Sequence, residues 1–377
     1  MATGATLRLR QLQVLHRHGD RTPLRNVFKG DPLAEFEECK RWAPKLPSAD
    51  DVAQLRSVAA VVDFAKAADA SGSAKPYQTR PFGYLTTTGI EQMTARGDKV
   101  RSFCVDEALS MDSLTDRDVH IFSNSYTRTQ LSVQALLRGL LHGKPRITPR
   151  VHVLPPDHDM INTYAAFPEI ATLKAALEHE NEEFAFREHE MAPRKAELTR
   201  ALPMFASGSQ PFTWMAAADY FVCRDAHGVS MIPGTEAHCD ASVLHLSFRF
   251  HQFYSHPRVL QLVAGRLMQH VLLEIQKVTT NDPAMKKLVI YSGHDISILS
   301  VLHAINATLA DDDKWWPEYA SAVALELLED DDGRWYVRAR LNDTILNLRG
   351  GSSDASTLYS CEEFYHLIMD KFQGFEH

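Results

Sequence analysis

No run in this 377-residue sequence is apolar for long enough to cross a bilayer, and Met1 to Arg10 lack the apolar stretch of a secretory leader. The chain is therefore expected to have no transmembrane segment and no visible export signal. Positive charge is also in short supply. Forty Lys and Arg against 48 Asp and Glu leave a net charge of −8, which argues against a nucleic-acid partner because phosphate-backbone binding needs a basic field. Cysteine is sparse and odd in number: Cys39, Cys104, Cys223, Cys239 and Cys361 are widely scattered. That pattern reads as free thiols in a cytoplasmic or other intracellular compartment, although a trimmed chain would show the same N-terminus. Internal repeats are missing too. The acidic runs Glu178–Glu183 and Glu188-His189-Glu190 lack the His-Glu-x-x-His spacing that puts two imidazoles on one helical face. Solvated helix surface is expected there, and no metal or other cofactor is called for.

What is present is concentrated. Val14-Leu15-His16-Arg17-His18-Gly19-Asp20-Arg21-Thr22-Pro23 follows a strand-like alternation of Leu7, Leu9, Leu12 and Val14, with an irregularity between the two pairs. A strand would deliver His18 to its C-terminal end between two guanidinium groups, with Gly19 for a tight turn and Pro23 fixing the exit. A solvated basic surface would account for an arbitrary Arg/His cluster. Two planar donor forks beside an imidazole, placed directly after a strand, instead suit a phosphate dianion next to a nucleophile.

Arg17-His18-Gly19-Asp20-Arg21-Thr22-Pro23 resembles the signature of the histidine acid phosphatases, a branch of the histidine phosphatase superfamily. Leu85 to Met93, with Gly97, is similar to the helix after the signature loop in that family, nearest the lysophosphatidic acid phosphatase branch. Ser123-Asn124-Ser125-Tyr126-Thr127-Arg128-Thr129 is similar to the family's Ser-x-x-x-x-Arg-Thr segment, which implies that Arg128 is a phosphate ligand. The resemblance implies a mixed α/β sheet flanked by helices, with a phosphoglycerate-mutase-like core, and a mainly helical cap over the active site.

The rest of the chain fits that frame. The expected core is 1–150 and 250–377, with 151–249 as the cap insertion. Leu24 to Gly83 is a Pro-punctuated excursion with one helix near Val52–Ala68, and Thr88 opens a helix running to Phe103. Val119–Phe122 is a buried strand, followed by a polar loop and a helix to Leu141; a helix N-terminus there favours an anion. Val151–Leu154 is another strand. Ile170–Phe184, Ala192–Leu202 and Phe212–Val222 are helices without strands between them, and Val259–Val278 is a long helix. Leu288–Gly293 is a strand ending in His294-Asp295, where a capping aspartate is the plain alternative to a functional pair. In an open α/β sheet that edge is where ligands bind, so His18, Arg128, His294 and Asp295 should converge. Ala322–Leu328 and Trp335–Leu341 form a hairpin with an acidic turn, and Ser360 to Glu363 makes a capping box.

The expected chemistry is metal-independent hydrolysis of a phosphate monoester at acidic pH through a phosphohistidine. His18 is the nucleophile and Asp295 the general acid, with Arg17, Arg21, Arg128 and His294 binding the phosphate. Lipid, sugar and inositol phosphates are candidate small-molecule substrates, and the sequence does not fix an oligomeric state. A phosphoglycerate-mutase-like phosphotransferase and a non-catalytic phospho-ligand binder are the alternatives.

Overall fold

Strands rich in Val, Ile and Leu on both faces suit the middle of a sheet covered on both sides, and two such strands flank the signature. The computed structural model describes residues 6–64, 81–106, 109–142, 147–308, 315–348 and 357–372. The first part of the chain forms β1 (Arg8–Arg17), α1 (Pro32–Trp42), α2 (Ala49–Val58), β2 (Ala60–Asp63), α3 (Thr87–Asp106), β3 (Val119–Ser123), α4 (Thr127–Leu141) and β4 (Arg150–Val153). Five helices follow: α5 (Glu169–Glu180), α6 (Glu182–Ala201), α7 (Pro203–Ala206), α8 (Trp214–Ala226) and α9 (Cys239–Ser255). The last part contains α10 (Pro257–Thr279), β5 (Leu288–Gly293), α11 (Asp295–Ala304), β6 (Ala322–Glu329), β7 (Trp335–Leu341), β8 (Thr344–Ile345), β9 (Tyr359–Ser360) and α12 (Cys361–Phe372).

The strands make one mixed sheet in the order β2-β4-β3-β5-β1-β6-β7-β8, with β9 also pairing β7. The pairings from β2 through β1 are parallel and those from β6 onward antiparallel. β1 sits at the change of direction, pairing Val14 with Ile290 of β5 and with Ala324 of β6. Its register slips between Leu9 and Gln11, where the apolar alternation breaks in the sequence.

Because side chains alternate across a strand, adjacent residues feed two separate cores. Val14, Ile121 and Ile290 pack with Met93 and Leu136 of α3 and α4. Leu15, Phe122 and Tyr291 face the other way and share a core with α10, α11 and Phe184, Trp214 and Phe221 of the helical stretch. α3 and α4 cross closely because a methyl on Gly97 would strike the Leu136 carbonyl, and one on Gly139 the Thr94 carbonyl.

Local details differ from the sequence expectation. The helix expected over Val52–Ala68 ends at Val58, because Val61 and Val62 join a parallel ladder with β4; residues 65–68 lie outside the described segments. Thr86 rather than Thr88 caps α3, its hydroxyl accepting from Gly89 N at 3.1 Å. The helix expected over Ile170–Phe184 is broken at Asn181, whose extended backbone and side chain, accepting from Phe184 N at 3.0 Å, start α6. Glu178 and Glu188 are not solvated surface: both are partly buried and pair with Arg249 of α9. The acidic hairpin turn forms as expected, with Asp330 accepting from the backbone of Asp332 and Arg334. The Ser360–Glu363 capping box is present, and none of the five cysteines is in a disulfide. No helix among the described residues is long and apolar enough to cross a membrane.

Candidate active site

β1, β3 and β5 end at the same edge of the sheet. Arg17 is in register with Gly293, and Ser123 with Ser292, so the segments that follow each strand emerge side by side. The N-termini of α4 and α11 point into the same edge, with Arg128 in the first turn of one and Asp295 opening the other. Parallel strands thus gather in space what the sequence spreads over nearly three hundred positions.

His18 is 2% exposed, and its Nδ1 lies 2.8 Å from the carbonyl oxygen of Gly19. A carbonyl only accepts, so Nδ1 carries the proton and Nε2 keeps its lone pair. Burial, reinforced by Arg128, Arg17, His294 and Arg21, holds the imidazole well below its ordinary pKa. The backbone is fixed as firmly as the ring. His18 N donates to Gly293 O, Ala320 N donates to His18 O, and Gly19 N donates to Ser132 Oγ of α4 at 3.1 Å. Gly19 does not supply a left-handed turn. A methyl there would run into the Gly89 carbonyl, so glycine lets the signature loop lie against the start of α3.

The arginines each have a carboxylate or aromatic neighbour. Arg17 Nη2 is 2.9 Å from Asp295 Oδ2, and its guanidinium lies 4.2 Å over the ring of Tyr319 and donates to Pro317 O. Arg21 Nη1 is 2.6 Å from Asp219 Oδ1 of α8, and both side chains are 7% exposed. Arg128 lies 4.3 Å over the Tyr126 ring, and burial with the nearby Arg21 lowers its pKa to about 10. The Nε atoms of Arg17, Arg21 and Arg128 are buried without a hydrogen-bond partner among the described residues, leaving donors for an anion.

His294 stands edge-on to His18 with ring centres 5.4 Å apart. The Asn124 amide donates to its Nε2 at 2.5 Å while accepting from Tyr126 N at 3.2 Å, which ties the β3 loop to the β5 loop. Burial, then Arg128, bring the His294 pKa down to about 3. At Asp295, burial acts upward on the carboxyl, but Arg17, His294 and Arg21 outweigh it and hold it below the usual carboxylate range. Asp20 faces away from this centre: it is 1% exposed, accepts from Thr86 Oγ1 and lies 2.7 Å from His227 Nε2.

All six residues singled out in the sequence therefore meet in one place. Sequence reasoning missed Asn124, Asp219 and Tyr319. Asp219 left a signal, as the lone acid in the apolar run Trp214-Met215-Ala216-Ala217-Ala218-Asp219-Tyr220-Phe221. Tyr319 left none, since its place over Arg17 depends on the path of the chain into β6.

The chain is 25% identical over 365 residues to counting factor 60 of Dictyostelium discoideum, covering 91% of this chain and 82% of that one. It is 22% identical over 356 residues to lysophosphatidic acid phosphatase type 6 of Homo sapiens, covering 88% and 77%. Its fold superposes on a Hafnia alvei phytase solved with tartrate at a TM-score of 0.65, with 15% identity and 99% of both chains covered. The model for the histidine phosphatase superfamily, branch 2, matches residues 8–342, and the chain belongs to that family.

Proposed function

We propose that this chain is an acid phosphomonoesterase working through a covalent phosphohistidine at His18, with no metal in the route. The observation that carries the reading is the His18 Nδ1 to Gly19 carbonyl bond, which leaves Nε2 unprotonated in a pocket of three guanidinium groups. Arg17, Arg21 and Arg128 take the equatorial phosphoryl oxygens, and His294 is a further donor. His18 Nε2 forms a bond to phosphorus as the ester P–O bond breaks, and Asp295 gives its proton to the departing oxygen. Asp295 then takes a proton from water, the oxygen of which attacks phosphorus. The P–N bond breaks, releasing inorganic phosphate and restoring His18.

Asp295 must be protonated for the first step, although Arg17 favours its carboxylate. Acidic medium supplies the proton, and an arriving dianion raises the Asp295 pKa by competing for Arg17. Beside Asp219 a cavity of about 140 Å³ is lined by Leu24, Val27, Met204, Pro211, Met215 and Tyr220 together with the charged Arg25, Glu38 and Arg224. Its apolar wall favours a phosphate ester with an apolar leaving portion, such as a lysophospholipid-type phosphate, over a polyanionic sugar or inositol phosphate.

The test is a pH–rate profile with an aryl phosphate in chelator, run beside His18→Ala, followed by rapid quenching of the enzyme with labelled substrate. Turnover should be highest below neutrality, survive chelation and vanish in His18→Ala. Protein-bound label should withstand base and be lost in acid. Unchanged turnover in His18→Ala would end the mechanism.

A further inference from the structure

Roughly four residues back along β3 from Asn124, about 13 Å at strand rise, a second group of imidazoles stands apart from the phosphate centre. His120 of β3 and His270 and Glu274 of α10 each present a ligand atom, all within 4.8 Å of one another. His270 and Glu274 are one helical turn apart and so share a face. His152 of β4 flanks His120 with ring centres 5.3 Å apart.

The hydrogen bonds around this group determine which atoms are free. Gln11 Nε2 donates to two carbonyls, of Glu274 and Lys286, so its Oε1 is the acceptor that Gln13 Nε2 meets at 2.9 Å. Gln13 Nε2 also donates to Val271 O, so its Oε1 accepts the Tyr291 hydroxyl proton at 3.0 Å. With its proton committed, that hydroxyl can only accept from His270 Nδ1 at 2.8 Å. His270 Nε2 therefore points its lone pair toward Glu274, with Oε1 3.8 Å away. An imidazole whose far nitrogen donates to a buried polar group is the usual outer-shell arrangement of a metal-binding histidine.

Nothing among the described residues answers these lone pairs fully. Glu274 is 1% exposed; Lys277 holds its Oε1 at 2.6 Å, but Oε2 is buried without a partner among the described residues. His120 Nδ1 is buried and unpartnered in the same sense. His270 is 21% exposed, which leaves a route in from solvent.

We propose that His120, His270 and Glu274 form a binding site for a divalent first-row cation, Zn²⁺ by ligand chemistry, that cross-links β3 to α10. Two imidazoles and a carboxylate are a Zn²⁺ set with one position left for water. Tetrahedral ligation needs donor separations of about 3.3 Å, so side-chain rotations must bring the three groups closer together. The site is remote from His18, and the proposal stands whether or not the phosphatase mechanism does.

The test strips the full-length protein with chelator, removes the chelator, and titrates Zn²⁺ alone by calorimetry. One saturable site per chain is expected, present equally in His18→Ala, and weakened about a hundredfold in His120→Gln and in His270→Gln. Tyr291→Phe, which removes only the outer partner, should weaken it about tenfold. At a hundredfold excess over Kd, Zn²⁺ should raise the Tm of the unsubstituted protein by about 3 °C. Cobalt in place of zinc should give the intense visible bands of a four-coordinate site in the unsubstituted protein, a reading independent of how well the variants fold. Absence of saturable uptake, or uptake lost in His18→Ala and retained in both histidine variants, would overturn the assignment.

Discussion

Arg17 and Asp295 meet at 2.9 Å from the ends of two adjacent parallel strands, so the proposed phosphate-binding cation and the proposed proton donor hold each other in place. In the proposed mechanism this pair is what would let an aspartate beside three guanidinium groups serve as an acid. Its proton affinity is low while Arg17 faces it, and rises when a substrate dianion takes Arg17 over.

Removing that acid should hurt in proportion to how badly the leaving group needs a proton. In Asp295→Ala, kcat for an alkyl phosphate should fall by about a hundredfold or more, whereas an aryl phosphate with an acidic phenol should lose much less. Equal losses on both substrates would mean that Asp295 only positions Arg17.

Asp219 is expected to matter through Arg21. Breaking a pair in which both side chains are 7% exposed leaves a buried cation, so Asp219→Ala should lose about 3–5 kcal/mol in urea denaturation. Inorganic phosphate can replace the missing counter-charge, and should therefore stabilise the variant more than the parent protein. Equal phosphate shifts in both would place Arg21 outside the anion site.

Stability should also depend on pH in a definite direction. Burial is the main cause of the low pKa of His16, His120, His245 and His270, each at about 4, and of His294 at about 3. Unfolded, each would titrate near the ordinary value of about 6.5. Below about pH 7.5 the unfolded chain binds more protons at these imidazoles than the folded one, so their contribution to stability should fall as the solution is acidified through pH 6.5. His16 alone, which is fully buried, should cost on the order of 3 kcal/mol by pH 4. Tm measured from pH 8 to pH 4.5 checks this, and a Tm that held steady or rose on acidification would show the imidazoles gaining partners for their charge. An acid optimum for turnover would then sit on a falling stability curve.

Much of the site was legible in the residues themselves. Arg17 to Pro23 is contiguous, and each of the other two segments follows a strand that its apolar run announces, so His18, Arg21, Arg128, His294 and Asp295 could be named without coordinates. The helix boundaries were less legible where a local signal had rivals. Thr86, Thr87 and Thr88 are chemically alike, and only the backbone path shows which hydroxyl reaches Gly89. Val61 and Val62 read as helix until β4 offers them a ladder.

The signature at β1 thus needed only sequence to identify it, because its chemistry lies in neighbouring residues with a fixed spacing. Tertiary structure decided the rest. Asp219 comes from a helix about two hundred positions away to neutralise Arg21, Gly89 sets how close the signature loop can lie, and Gln11, Gln13 and Tyr291 orient His270. The reason is physical: a side chain's type is written in the sequence, but the partner that fixes its charge or its proton is chosen by the packing of strands and helices distant in the chain.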